Sequence, residues 1–127
     1  MSYLRTFRLF ERELCPGCRE IKVEGELDLA VAEQLQATLR RARGECAQIL
    51  VCLEGCEFID STGIAMIVQA HNEFAEHGGR VVVYGPSDQV LRVLSLTGLT
   101  ANGLVFDTLE DALSALDLST AEETSPH

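Results

Sequence analysis

The sequence predicts a single α/β domain, with a mixed, mostly parallel sheet of about five strands, an opening hairpin and about four helices. Three observations lead there. Apolar residues recur at period two up to Leu27, and helical and strand patterns then alternate along the rest of the chain. Residues 48–53 form a continuous apolar run that does not alternate, as a strand covered on both faces does. A Pro-Gly pair separates the first two strand-like stretches, which makes them an antiparallel hairpin, whereas strands separated by helices run parallel through right-handed crossovers.

Residues 3–13 set Leu4, Phe7 and Leu9 among Arg5, Arg8, Glu11, Arg12 and Glu13, an imperfect alternation that still reads as a strand. Cys15-Pro16-Gly17-Cys18 has proline and glycine where a type II turn needs them. Ile21, Val23 and, past a turn at Gly25, Leu27 then point one way, with Lys22, Glu24 and Glu26 between them. From Asp28 the period is helical. Ala32, Leu35, Leu39 and Ala42 share one face, Glu33, Gln36, Arg40 and Arg41 the other. Asp28 stands at or just before the N-cap, and Gly44 ends the helix.

Residues 48–53 are the central strand. Phe58-Ile59-Asp60-Ser61-Thr62-Gly63 hands it over to a helix with Ile64, Ile67, Val68, His71, Phe74 and Ala75 on its apolar stripe. Gly78-Gly79 stops that helix, and residues 80–84 are a second buried strand closed by Gly85-Pro86. Ser87 caps a third helix that turns Val90, Leu91 and Leu94 inward, with Leu96 a further candidate, and Gly98 closes it. Residues 104–106 are a short strand. Thr108, with Asp111 three residues on, starts a last helix containing Leu109, Ala112, Leu113 and Leu116. The domain is expected to span residues 1–116, followed by an acidic, fraying tail over 117–127.

A net charge of −10 argues against nucleic acid, which needs a basic footprint, and against adhesion to anionic membranes. Residues 1–10 hold no signal-peptide pattern, and no window reaches the roughly 18 apolar residues of a membrane span. A soluble, cytoplasmic protein without membrane insertion is expected. Its five cysteines then read as thiols. Cys15 and Cys18 are brought close by their turn, near enough for a disulfide or two metal ligands, but no second Cys-x-x-Cys completes a zinc site. They read first as structural turn thiols and second as a redox or metal pair. Cys52 and Cys56 read as small buried hydrophobes, and Cys46 falls in a connector.

Asp60-Ser61-Thr62-Gly63 places a hydroxyl at a helix start, where backbone N–H groups lack intrahelical partners and the dipole favours negative charge. Ser61 is either a cap or a site of chemistry. Asp60 and Ser61 are both cap-competent, as is Thr62, so capping alone does not require Ser61. No base for a self-contained serine nucleophile is evident. His71 lies ten residues on, within the apolar stripe, His77 sits at the helix end and His127 in the tail. Asp28 and Asp60 are better explained as caps than as paired general acid and base. No Gly-rich phosphate loop is present, and no cofactor is expected.

Four stretches together resemble a known family: Gly25-Glu26-Leu27-Asp28, Phe58-Ile59-Asp60-Ser61-Thr62-Gly63-Ile64, Gly78-Gly79-Arg80-Val81, and Val93-Leu94-Ser95-Leu96-Thr97-Gly98-Leu99. Across residues 7–116 the chain is similar to the STAS domain, of the bacterial anti-sigma factor antagonist type. The resemblance implies a STAS-like fold and a regulatory binding protein rather than an enzyme. It makes Ser61 the phosphoacceptor, with Thr62 the alternative, and puts Asp28, Asp60, Ser61, Thr62 and Gly63 at the partner interface. The implied partner is a serine-kinase anti-sigma factor that supplies ATP. It is sequestered while Ser61 is unphosphorylated, and a cognate phosphatase resets the switch. The alternative within the family is a STAS subunit of a membrane lipid-transport complex docked on its ATPase. A small thiol oxidoreductase would rest on Cys15 and Cys18 alone.

Overall fold

Pro16 and Gly17 fold β1 (Arg8–Cys15) back on β2 (Cys18–Leu27) as an antiparallel pair, with Cys15 opposite Cys18 and Gly17 at φ +81°, as the second central residue of a type II turn requires. The structure is a computed structural model and describes residues 8–27, 29–97 and 103–116. The remaining elements are α1 (Leu29–Arg43), β3 (Gln48–Ile59), α2 (Ser61–Ala75), β4 (Arg80–Tyr84), α3 (Asp88–Leu96), β5 (Val105–Phe106) and α4 (Leu109–Ala115). The strands lie in the sheet in their sequence order, β1-β2-β3-β4-β5, and every pair after the first is parallel. This is the mixed, five-stranded sheet with four helices that the periodicities predict.

The two faces of the sheet are covered unequally. On one, Ile21, Val23 and Leu27 of β2, Ile49, Val51 and Leu53 of β3, and Val81 and Val83 of β4 meet Leu35 and Leu39 of α1, Ile64, Ile67 and Phe74 of α2, and Val90 and Leu94 of α3. These side chains are excluded from water, and burying each contributes about 1.5–3 kcal/mol. On the other face, among the described residues, Cys18, Leu50, Cys52, Val82 and Tyr84 meet Ala112 of α4 and its C-cap Leu116, with Leu109 and Leu113 packed against them. Arg80 fastens that helix by donating to the carbonyl of Ala115 at 2.8 Å, so a last-turn acceptor gains a charged partner. Beside α4 the face stays open as a concavity of about 510 Å³, flanked by Phe10, Lys22 and Leu109. Glu20, only 4% exposed, accepts from Arg12 Nε at 2.6 Å and from the Tyr84 hydroxyl, so its buried charge is paired.

Several details differ from expectation, beginning with Gly25, where β2 runs on to Leu27 at φ +99° instead of turning. β3 does not stop at Leu53 but continues through Glu54-Gly55-Cys56-Glu57-Phe58 to Ile59. Register shifts against β2 let the alternation slip without ending the pairing. On α2, Ala70 is buried and Ala75 exposed, which rotates the stripe slightly from its predicted centre. Leu96 is 82% exposed, because α3 ends there; Val90 and Leu94 are buried in the core, Val93 packs against it, and Leu91, expected inward, is only half-buried. The predicted stop at Gly98, the start of the first strand before Arg8 and the tail over 117–127 lie outside the described residues. Among the described residues no helix is long and apolar enough to cross a membrane.

Candidate functional site

The β3–α2 junction is built from both of its neighbours. Ile59, buried at the end of β3, is the register partner of Leu27, and the Asp60 N–H donates to the Leu27 carbonyl at 3.4 Å. The end of β2 is thereby held next to Asp60. Asp28, which follows Leu27, lies outside the described residues. Asp60 itself is extended (φ −111°, ψ −178°) and caps α2, its Oδ1 accepting from Thr62 N at 3.0 Å and from Gly63 N at 3.1 Å. A charged oxygen serving two otherwise orphaned donors is the strong form of an N-cap.

Ser61 is therefore not the cap. It is the first helical residue, exposed, with Thr62 half-buried behind it. Gly63 is buried for a packing reason: a Cβ there would stand 2.8 Å from Leu27 Cγ and 3.1 Å from Ile59 Cγ1. Only a residue without a side chain lets the first turn of α2 seat against both strands, and that contact fixes where Ser61 projects. The junction thus brings together Asp60, Ser61, Thr62 and Gly63.

The surroundings suit a protein surface. Phe58 is 40% exposed on β3, three residues before Ser61. Along α2, residues 61–72 contain no Asp, Glu, Lys or Arg, although the chain carries −10 overall. Ala65, Gln69 and Asn72 are exposed on this helix and Met66 and Val68 half-buried. An uncharged strip of this kind, mixing Ala65, Met66 and Val68 with the neutral Gln69 and Asn72, has the charge depletion of an interface centre. Sequence reading assigned Phe58 no role. The signal was there, because an aromatic directly before the buried Ile59 must point to the opposite side of the strand.

Other candidates are placed elsewhere. His71 is half-buried with Nδ1 3.1 Å from the Val81 carbonyl, and His77 Nδ1 lies 2.9 Å from the Glu73 carbonyl. Each ring serves the backbone rather than a nucleophile. Cys15 and Cys18 are free thiols at the far end of β2, Cys15 half-buried and Cys18 buried. Burial, reinforced by the Cys15 sulfur, pushes the Cys18 thiol up to about 12. Burial also raises Cys46, Cys52 and Cys56. Among the described residues no group of three or more His, Cys, Asp or Glu side chains is arranged to hold a metal.

This fold and junction define a class. A family model for the STAS domain matches residues 10–112, and the chain belongs to that family. Its relatives carry a narrower name. The anti-sigma F factor antagonist of Paenibacillus polymyxa is 26% identical over 110 residues, covering 85% of this chain and 94% of the relative. The one from Lysinibacillus sphaericus is 32% identical over 81 residues, covering 62% and 69%. Among solved structures, the anti-sigma factor antagonist SpoIIAA of Bacillus in its unphosphorylated form is similar with a TM-score of 0.75 at 24% identity, covering 87% of this chain and 96% of that one. Its phosphorylated form has the same fold, with a TM-score of 0.68, at 24% identity over 85% and 98% of the two chains.

Proposed function

We propose that this protein is an anti-sigma factor antagonist, a binding protein without catalysis of its own, whose hold on its partner is set by phosphorylation of Ser61. The observation that carries the reading is the division of labour at the junction. Asp60 caps α2, and the Ser61 hydroxyl is left exposed at a helix start. The names of the relatives support the same role. The partner is a serine-kinase anti-sigma factor that brings its own ATP, and a phosphatase removes the phosphate again. While Ser61 is unmodified the partner is sequestered and its sigma factor released, so the compartment is the cytoplasm. The interface takes in Asp28, Asp60, Ser61, Thr62 and Gly63, with Phe58 and the neutral strip of α2 around them.

The switch follows from charge. A phosphate brings about −1.5 to −2 units and three strong acceptors. In the free domain it meets a helix N-terminus and open water, which offset its repulsion from Asp60, so the fold is conserved. Against a partner that covers Ser61, the same group is desolvated beside existing carboxylates, at a cost of several kcal/mol. Ser61 outranks Thr62 as the acceptor because Thr62 is half-buried.

Peptide mapping of the protein from its own cell is expected to place one phosphate on Ser61. In titrations with the purified kinase, Ser61→Ala should bind as the wild type does and accept no phosphate, while Ser61→Asp should bind at least roughly tenfold more weakly. Equal affinity of the two variants rejects the switch. A phosphate on Thr62 moves the acceptor, and an unmodified protein bound to transporter subunits assigns the chain to a lipid-transport complex instead.

A further inference from the structure

The hairpin turn carries a chemistry that the docking surface does not use. Cys15 and Cys18 flank Pro16 and Gly17 as the closing pair of β1 and β2. The ends of such a turn lie less than about 7 Å apart at Cα, and a disulfide spans about 4.4–6.8 Å. The turn is also held from outside, because the Gly17 carbonyl accepts from Ala47 N at 3.2 Å and Gln48 N at 3.1 Å. Pro16 fixes its own φ and Gly17 sits at +81°, so the turn that pairs the two cysteines is conformationally fixed.

The two thiols differ in access. Cys15 is half-buried at the rim and Cys18 is 1% exposed beneath it. A reagent therefore enters at Cys15, and Cys18 can react only inward. The other three cysteines lack this arrangement. Cys46 is turned to the Ala42 carbonyl at 3.4 Å, Cys52 has Lys22 and Tyr84 as its register partners, and Cys56 has Gly25.

We infer that Cys15 and Cys18 are a redox modification site, a dithiol that closes reversibly to a disulfide by exchange with a small disulfide of the glutathione type. The Cys15 thiolate attacks one sulfur of the small disulfide, forming a mixed disulfide and expelling one small thiolate, which takes up the proton Cys15 released. Cys18 then loses its proton, attacks the Cys15 sulfur and expels the second small thiolate, which is protonated in turn. Two protein thiols are oxidised, and one small disulfide is reduced to two thiols. Burial disfavours the Cys18 thiolate and so slows this second step. The site lies where β2 and β3 begin (Cys18 is paired with Gln48), whereas Ser61 follows the end of β3. Its closure therefore takes place at the other end of β3 from Ser61.

The test uses the full chain and oxidised glutathione, followed by alkylation and mass mapping. The expected result is the loss of two alkylatable thiols, a peptide linking Cys15 to Cys18, full recovery with dithiothreitol, and closure that accelerates as the pH rises from about 7 to about 9. Cys18→Ser should stop at a glutathione adduct on Cys15, and Cys15→Ser should give no adduct at the turn. Five alkylated thiols in the wild type after prolonged exposure would overturn the inference. So would a stable glutathione adduct on wild-type Cys15, or a crosslink mapped to any other pair.

Discussion

Ser61 and Ser87 stand at the starts of consecutive helices, each just past the end of a parallel strand, yet they have opposite roles. Ser87 is the N-cap of α3, extended at φ −66° and ψ 167°, with its Oγ accepting from Val90 N at 3.2 Å. Ser61 is one step inside α2, and the residue before it takes over the capping. What frees a hydroxyl at a helix start is thus the identity of its neighbour. Gly85-Pro86 precedes Ser87 and offers no cap, so the hydroxyl is consumed by the helix. Asp60 precedes Ser61, does the capping itself and leaves the hydroxyl exposed.

That contrast can be broken at several points. Gly63→Ala should have the largest effect, because its Cβ would overlap Leu27 Cγ at 2.8 Å and both neighbours belong to the core. A loss of about 1–3 kcal/mol in urea unfolding is expected, and an unchanged midpoint would mean that α2 is not seated against β2 as described. Asp60→Ala removes an oxygen shared by two donors and should cost about 1–2 kcal/mol. Asp60→Asn, which keeps an acceptor, should lose less. Ser87→Ala should cost about 1 kcal/mol. Ser61→Ala should change stability by no more than about 0.5 kcal/mol. If the two serine variants proved equally destabilised, Ser61 would be a cap after all and the distinction would fail.

Much of this architecture was legible because local chemistry and tertiary structure agree. The Pro16-Gly17 turn, the Ser87 and Thr108 caps and the strands at β3 and β4 sit where turn, cap and period rules put them. What escaped has physical causes. The outer half of β3 was hidden because its register slips against β2, and Gly55, whose Cβ would meet the Glu24 side chain at 2.9 Å, breaks the apolar pattern while keeping the pairing. Leu96 looked like core because hydropathy cannot tell where a helix leaves the body it packs on. Glu20 carried no signal in the sequence. It is buried because Arg12 from β1 and Tyr84 from β4 converge on it, a meeting of residues 64 apart that no local window contains. At the site, the sequence offered three cap-competent residues in a row, and only the backbone shows which oxygen faces the helix.

The order of the strands has a consequence for how the molecule comes into being. Each strand pairs only with its neighbours in the sequence, so no sheet contact has to wait for a distant part of the chain. Every parallel pair closes over a single helix, which keeps loop-closure entropy small for this class of fold and favours rapid folding. During synthesis, β1 and β2 can close first, and each helix and strand that follows finds its template already standing. The β3–α2 junction is completed as soon as β3 docks on β2 and the first turn of α2 forms, well before the last helix is made.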